Sequence, residues 1–383
     1  MKIVYLYPQF ARTAGTERVL IDKMNYLAEN YGYDVIMMTT EQGNHPLAFP
    51  LSDKVLHIDL SIRYCDIYKR NILIRYFKKK RFDNLFQMKF NALMGEYRPD
   101  IVITTTYDSK YLSVINNCPY SFRRVLESHI DKQHLHQNDP NNKRNIWRYI
   151  NAYFGMKKTE HDAGKFDVMV TLNENDAKEW GKILKTIIIT NVVNLNPTKL
   201  YSSQNSNQII FVGRYTIQKG VHELFVIWDY VYKRHPDWHL NLYGTGELRD
   251  YVLYNATHSH KNIHHHEPDN HIHDRYIENT ILVMPSVYEP FGLVLIEAMS
   301  CGLPVVAYDD LVGPKSIIKD HYDGFLIPNR DISLFGEKVC QLIESKELRI
   351  KMGRNAIKSS LRYSPSVVMP KWNSLFMSLC NNV

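Results

Sequence analysis

The chain has 383 residues, 44% of them hydrophobic, and a formal charge of +7. That length supports two domains with cores of their own. No run of about 18 uncharged apolar residues occurs, which excludes a spanning helix. Five scattered cysteines, without metal-ligand spacing, exclude a disulfide framework.

The opening MKIVYLYPQF (1–10) lacks the apolar run and cleavage site of a leader. It is expected to be a first strand, over 2–7, in a chain that stays in the cytoplasm. After the loop PQFARTAGTE, Leu20, Met24, Leu27 and Tyr31 recur at helical spacing. DVIMMTT (34–40), DIVITTT (100–106), RRVLESH (123–129), DVMVTLN (167–173) and TIIITNVV (186–193) read as further strands. Near-continuous apolar strands separated by helical patterns predict a parallel sheet covered on both faces.

The polar stretch NLNPTKLYSSQNSN (194–207) reads as an interdomain linker. The pattern then restarts with QIIFVGRY (208–215), HLNLYG (239–244), ILVMPS (281–286), PVVAYD (304–309) and GFLIPN (324–329). Two Rossmann-like α/β halves are the economical reading, with ligands expected at the carboxyl ends of the strands.

The chemistry concentrates in PSVYEPFGLVLIEAMSCGLPVVAYD (285–309). Glu289 precedes a short helix and Glu297 lies inside it. The N–H groups of Phe291, Gly292, Leu293 and Val294 are expected to be free at the helix start, where they and the dipole attract phosphate. Two carboxylates can accept hydrogen bonds from two sets of sugar hydroxyls. A well-capped helix with an acid at its positive end accounts for the same residues. In VGRYTIQKG (212–220), Gly213, Arg214 and Lys219 lie at a strand-to-helix turn. Two cations there suit a diphosphate, and solvated surface cations are the alternative. LYGTGELRD (242–250) is either a tight turn or a glycine-rich loop. FARTAGTERVL (10–20) places Gly15 before the first helix, where a phosphate or acceptor can approach.

The two glutamates with seven residues between them in EPFGLVLIEAMSCGLPVVA, together with GR-x4-KG at 213–220, resemble glycosyltransferase family 4 over nearly the full length. The resemblance implies the GT-B fold: α/β, two Rossmann-like domains facing a central cleft. It implies an N-terminal acceptor domain at 1–197, joined by a closing helix at 364–383, and a nucleotide-sugar domain at 198–363. It makes Arg214 and Lys219 a diphosphate clamp and sets Glu289 beside the transferred sugar. Glu297 would hold the ribose, and the backbone of Phe291, Gly292 and Leu293 would bind sugar and phosphate. Gly15 matches the loop facing donor and acceptor, and His129, in LESHI, a histidine near the reaction centre. Two positions depart from the family pattern. Ala14–Gly15 replaces a glycine pair, and Ser316 stands where glutamate is usual.

The implied reaction is retaining transfer of a sugar from a nucleoside diphosphate to a hydroxyl, in surface polysaccharide synthesis. UDP is expected over GDP because UDP-sugars are the larger class among similar enzymes. No cofactor and no metal is expected, since no Asp-x-Asp motif follows a strand. The histidine-rich HSHKNIHHHEPDNHIHD (258–274) is read as a segment near the nucleotide base rather than a zinc site, although His264 with His266, or His271 with His273, has ligand-like spacing.

KRNILIRYFKKKR (69–81) and KRNIWRYINAYFGMKK (143–158) are basic and aromatic. They suit peripheral attachment to an anionic membrane, with a glycan or a polyprenyl-diphosphate-linked molecule as acceptor. Trp372, Leu375, Phe376 and Leu379 give the last segment an apolar stripe. The competing readings are a nucleotide-sugar 2-epimerase of the same fold and a nucleic-acid-binding protein. No nucleic-acid motif supports the second.

Overall fold

Strands that are apolar on both faces need cover on both sides, and the computed structural model supplies it with two parallel α/β sheets. It describes residues 1–64, 72–135 and 146–381. The basic stretches at 69–81 and 143–158 fall partly outside these residues, and Cys65 wholly so. The chain divides into two units, Met1–Val192 with Val368–Val383, and Val193–Val367.

In the first unit, β1 (Lys2–Tyr7), α1 (Gly15–Asn30), β2 (Asp34–Thr39), β3 (Val55–Asp59), α2 (Ile72–Tyr97) and β4 (Ile101–Thr105) are followed by α3 (Ser109–Asn116), β5 (Arg123–Glu127), α4 (Ile146–Ala163), β6 (Val168–Thr171), α5 (Glu174–Trp180) and β7 (Thr186–Ile188). The sheet order is β3-β2-β1-β4-β5-β6-β7, with Ile3 in register with Val35 on one side and Ile101 on the other. Ile3, Val4 and Leu6 are buried, and Val4, Leu6, Ile36, Val102, Leu126 and Met169 join one core under Phe86, Phe90 and Trp180. The stripe Leu20, Met24 and Leu27 is the buried face of α1.

The second unit runs β8 (Gln208–Val212), α6 (Val221–Tyr232), β9 (His239–Tyr243), α7 (Arg249–His258), β10 (Ile263–His266), α8 (Ile272–Glu278) and β11 (Ile281–Met284). It continues with α9 (Leu293–Ser300), β12 (Val305–Tyr308), α10 (Val312–Ile317), β13 (Gly324–Ile327), α11 (Ile332–Glu344), α12 (Lys346–Ser360) and the start of α13 (Pro365–Asn381). Its sheet order is β10-β9-β8-β11-β12-β13. Order reverses between β8, which leads outward to β9, and β11, which leads to β12. Ligands of open α/β sheets bind at such a switch point, outside the carboxyl ends of the strands.

Three local expectations differ. β3 was not read from the sequence. The run at 186–193 forms a strand only over Thr186–Ile188. The stretch at 194–207 is fastened to the second unit: Asn196 N–H donates to Ser300 Oγ at 3.2 Å, Ser202 N–H to the Cys301 carbonyl at 3.0 Å, and Gln204 Nε2 to the Gly302 carbonyl at 3.0 Å. These three groups bond to the end of α9 and the loop after it, while Asn194, Thr198, Lys199, Ser203 and Asn205 of the same stretch stay exposed.

Candidate active site

The loops after β8 and β11 meet at the switch point of the second sheet. Val287 N–H donates to the Gln218 carbonyl at 2.7 Å, and Gln218 Nε2 donates to the Tyr288 carbonyl at 3.2 Å. Gly220, which separates Lys219 from α6, has φ +69°, and a Cβ there would lie 1.8 Å from the Pro285 carbonyl oxygen. Only glycine allows the two loops to approach so closely.

That approach sets Lys219 Nζ 2.5 Å from Glu289 Oε2, with 16% and 9% of their side chains exposed. An ammonium has three donors and a carboxylate only accepts. One N–H can stay on Glu289 while others point to a ligand, so Glu289 fixes the direction of Lys219. Arg214 is exposed on the same loop, and among the described residues its side chain has no hydrogen bond or ion pair.

Gly292 caps α9 at φ +103°, and no side chain caps the helix. Leu293 and Val294 open its first turn, where N–H groups have no carbonyl four residues back. A partly exposed donor pair therefore lies four and five residues beyond Glu289. Glu297 is buried and accepts a hydrogen bond from Tyr276 Oη at 3.1 Å. Ser316, at the position of a usual acid, turns its hydroxyl back onto the Gly313 carbonyl at 2.7 Å.

Arg330, Tyr276 and Gln218 escaped the sequence reading. Arg330 Nη1 donates to the Ser286 carbonyl at 3.1 Å, Nη2 pairs with Glu223 Oε2 at 2.8 Å, and the guanidinium lies 4.2 Å from the Tyr308 ring. It thus ties the Glu289 loop to α6. Its only sequence signal was a basic residue just past a strand.

Beside these loops, the glycine-rich turn at 244–246 packs on the backbone of the loop after β8: Gly213 N–H donates to the Tyr243 carbonyl at 3.0 Å and Tyr215 N–H to the Thr245 carbonyl at 2.8 Å. Tyr243 stacks on His266 at 4.4 Å between ring centroids. These rings, with Glu267, Asp269, His271 and Arg275, line an open pocket of about 510 Å³. His264 bonds to His239 at 2.9 Å, His266 to Asn241 at 3.3 Å, and His273 lies 3.6 Å from Cys301 Sγ. Among the described residues no three His, Cys, Asp or Glu converge on a metal position.

In the first unit, Gly15 is exposed as the first residue of α1. His129 is buried, with Nε2 3.1 Å from Glu127 Oε2, and Glu127 Oε1 meets Lys23 Nζ at 2.5 Å. Burial alone would raise the Glu127 carboxyl, but the Lys23 cation and the bond to His129 hold it below the ordinary range. The loop that follows β5 is held by Asp176, whose Oδ1 accepts from Lys132 N–H at 2.8 Å.

Residues 193–359 match the family model for glycosyl transferases group 1. An uncharacterized glycosyltransferase of Haemophilus influenzae is 26% identical over 385 residues, covering 98% of this chain and 99% of that protein. The amylovoran biosynthesis glycosyltransferase AmsD of Erwinia amylovora is likewise 26% identical, with the same coverage. Among solved structures, a variant of S. aureus TarM in complex with fondaparinux, alpha-GlcNAc-glycerol and UDP superposes with a TM-score of 0.77 at 15% identity, over 98% of this chain and 99% of that one.

Proposed function

We propose that this chain, which has the GT-B fold and whose residues 193–359 match the glycosyl transferases group 1 model, acts as a member of that family and moves a sugar with retention from a UDP-sugar to a hydroxyl of a glycan or polyprenyl-diphosphate-linked acceptor in surface polysaccharide synthesis. The observation that carries the reading is the Lys219–Glu289 pair, held at the switch point beside an uncapped helix start. A diphosphate there meets the Lys219 ammonium, the exposed Arg214 fork and the N–H groups of Leu293 and Val294. Glu297 takes the ribose hydroxyls and Glu289 the sugar. UDP bound in TarM and the amylovoran role of AmsD support the donor and the pathway class.

The bond from the anomeric carbon to the phosphate oxygen breaks, and a bond to the acceptor oxygen forms on the same face. The acceptor's proton passes to the departing phosphate. Lys219 and Arg214 stabilise the charge that develops on that phosphate, and the chain's main contribution is orientation. We place the base against Tyr243 and His266. We assign no metal a part in the step.

Lys219→Ala removes a cation needed in the transition state and should lower kcat by about 100-fold or more, with circular dichroism unchanged. Sugar transfer measured with radiolabelled donor, with and without acceptor, checks this. Wild-type turnover in the variant removes Lys219 from the clamp, and acceptor-independent release of an epimerised donor favours the 2-epimerase reading.

A further inference from the structure

The buried ion pair of the first unit has no part in donor binding, yet burying two charges is costly unless both are fully partnered. Lys23 and Glu127 are 1% and 3% exposed at their side chains. Lys23 comes from the stripe face of α1 and Glu127 from the end of β5. Trp372 covers the ammonium, with its ring 3.8 Å away, and Tyr5 lies at 5.2 Å. The cavity that Lys23, Glu127, His129, Thr190, Asn191 and Trp372 line is about 10 Å³. It admits no more than about one water, so bulk solvent does not compete for the carboxylate.

We infer that Glu127 is a positioning residue that fixes His129 as its Nε2–H tautomer, and that Lys23 is what holds Glu127 to this task. An ionised carboxylate has only acceptors, so with Oε1 taken by Lys23 its Oε2 requires a proton on His129 Nε2. A ring in that tautomer has a single acceptor, Nδ1. A lone, fixed acceptor suits a hydroxyl of the acceptor, which must be oriented for transfer. This rests on the reading that His129 works at the reaction centre.

The order of the three partners makes the inference testable by a substitution and its rescue. In Glu127→Gln the amide has one oxygen, and the Lys23 ammonium takes it. The amide NH2 then faces His129, which must offer a bare Nε2 and carry its proton on Nδ1. Lys23→Met with Glu127→Gln removes the competitor, returns the amide oxygen to His129 and restores the Nε2–H form.

The experiment is nitrogen NMR on full-length protein with 15N-labelled histidine, with the His129 signal assigned by its loss in His129→Asn. The wild type should show Nε2–H and Glu127→Gln Nδ1–H. The single variant should lose roughly 10- to 100-fold in kcat, with UDP affinity unchanged, as expected for a histidine held in the wrong tautomer. The double variant should regain Nε2–H and come within about tenfold of wild-type kcat. A wild-type signal of the Nδ1–H form, or Glu127→Gln turning over at the wild-type rate, overturns the inference. Should Glu127→Gln alone not fold, the double variant decides, because it buries no charge: Nε2–H with turnover supports the inference, and Nδ1–H with full turnover overturns it. Full turnover in His129→Asn refutes the placing of His129, whereas the donor site is judged separately by UDP binding to the same variant.

Discussion

At the scale of single residues, the loop carrying His129 depends on a carboxyl in an unfavourable state. Burial pushes the Asp176 carboxyl up to about 6, against the hydrogen bonds from Ser128 and Lys132 that favour its charge. Between the ordinary 3.8 and about 6 the native chain keeps a proton that the unfolded chain has lost. This contribution therefore favours folding as pH falls through that window and is lost as pH rises. The charged form costs the native state roughly 3 kcal/mol at neutral pH. Asp176→Asn keeps the acceptor for Lys132 N–H and offers an NH2 to the Ser128 hydroxyl. Urea unfolding should show it more stable than the wild type at pH 7.5, with the gap closing by pH 4. A gap that widens on acidification would refute the sign.

The residues proposed for the donor were legible one by one because glycines and turns bracket them. Lys219 sits before Gly220 and Glu289 before Gly292, and such punctuation marks the points where a strand hands over to a helix. Their 2.5 Å pairing was not legible, since it follows from two loops that meet only when β8 and β11 lie side by side. Lys23 was invisible for a similar reason. A lysine next to an apolar stripe reads as solvated, and only a glutamate 104 residues away makes it internal. Arg330 gave no more than a basic residue just past a strand.

At the scale of elements, β1, β2, β4 and β8 could be read because burial on both faces leaves unbroken apolar runs. β3 could not. VLHID has only five residues, opens with two adjacent apolar ones and then mixes in two polar ones, Leu56 is 45% exposed and the strand lies at the sheet's edge, so neither period nor hydrophobicity singles it out. The second half of TIIITNVV has strand composition, but Thr190–Val193 find no neighbour in register.

α2 is the element whose surface we propose to meet an anionic membrane. Phe77 is 70% exposed and is followed on the helix by Lys78, Lys79, Lys80 and Arg81, all exposed. On α4, Tyr153 and Phe154 are exposed near Lys157 and Lys158. Each basic residue near an anionic surface is worth about 1 kcal/mol. Reversing the charge of residues 78–81 should lower partitioning onto phosphatidylserine vesicles by at least about 100-fold at low salt. Equal partitioning of the two proteins in a sedimentation assay would count against attachment through α2. Among the described residues no helix is long and apolar enough to cross a membrane.

At the scale of the whole molecule, the groups proposed for the donor lie in the second unit, within the span matched by the family model. Gly15 and the Lys23–Glu127–His129 chain lie in the first. The parallel α/β class was readable from the alternation of strands and helices, and the resemblance to the family from one spaced pair of glutamates with the GR-x4-KG stretch. The acceptor was not, because no comparable motif in the first unit specifies one. The proposed transfer requires a cationic, uncapped site for a nucleoside diphosphate in the second unit. The most direct test is calorimetric titration of UDP, in excess chelator, into the wild type and the Arg214→Ala/Lys219→Ala variant. Two charge-assisted contacts are worth about 3 kcal/mol or more, so the variant should bind at least about 100-fold more weakly. Equal affinity in the two proteins would contradict the clamp.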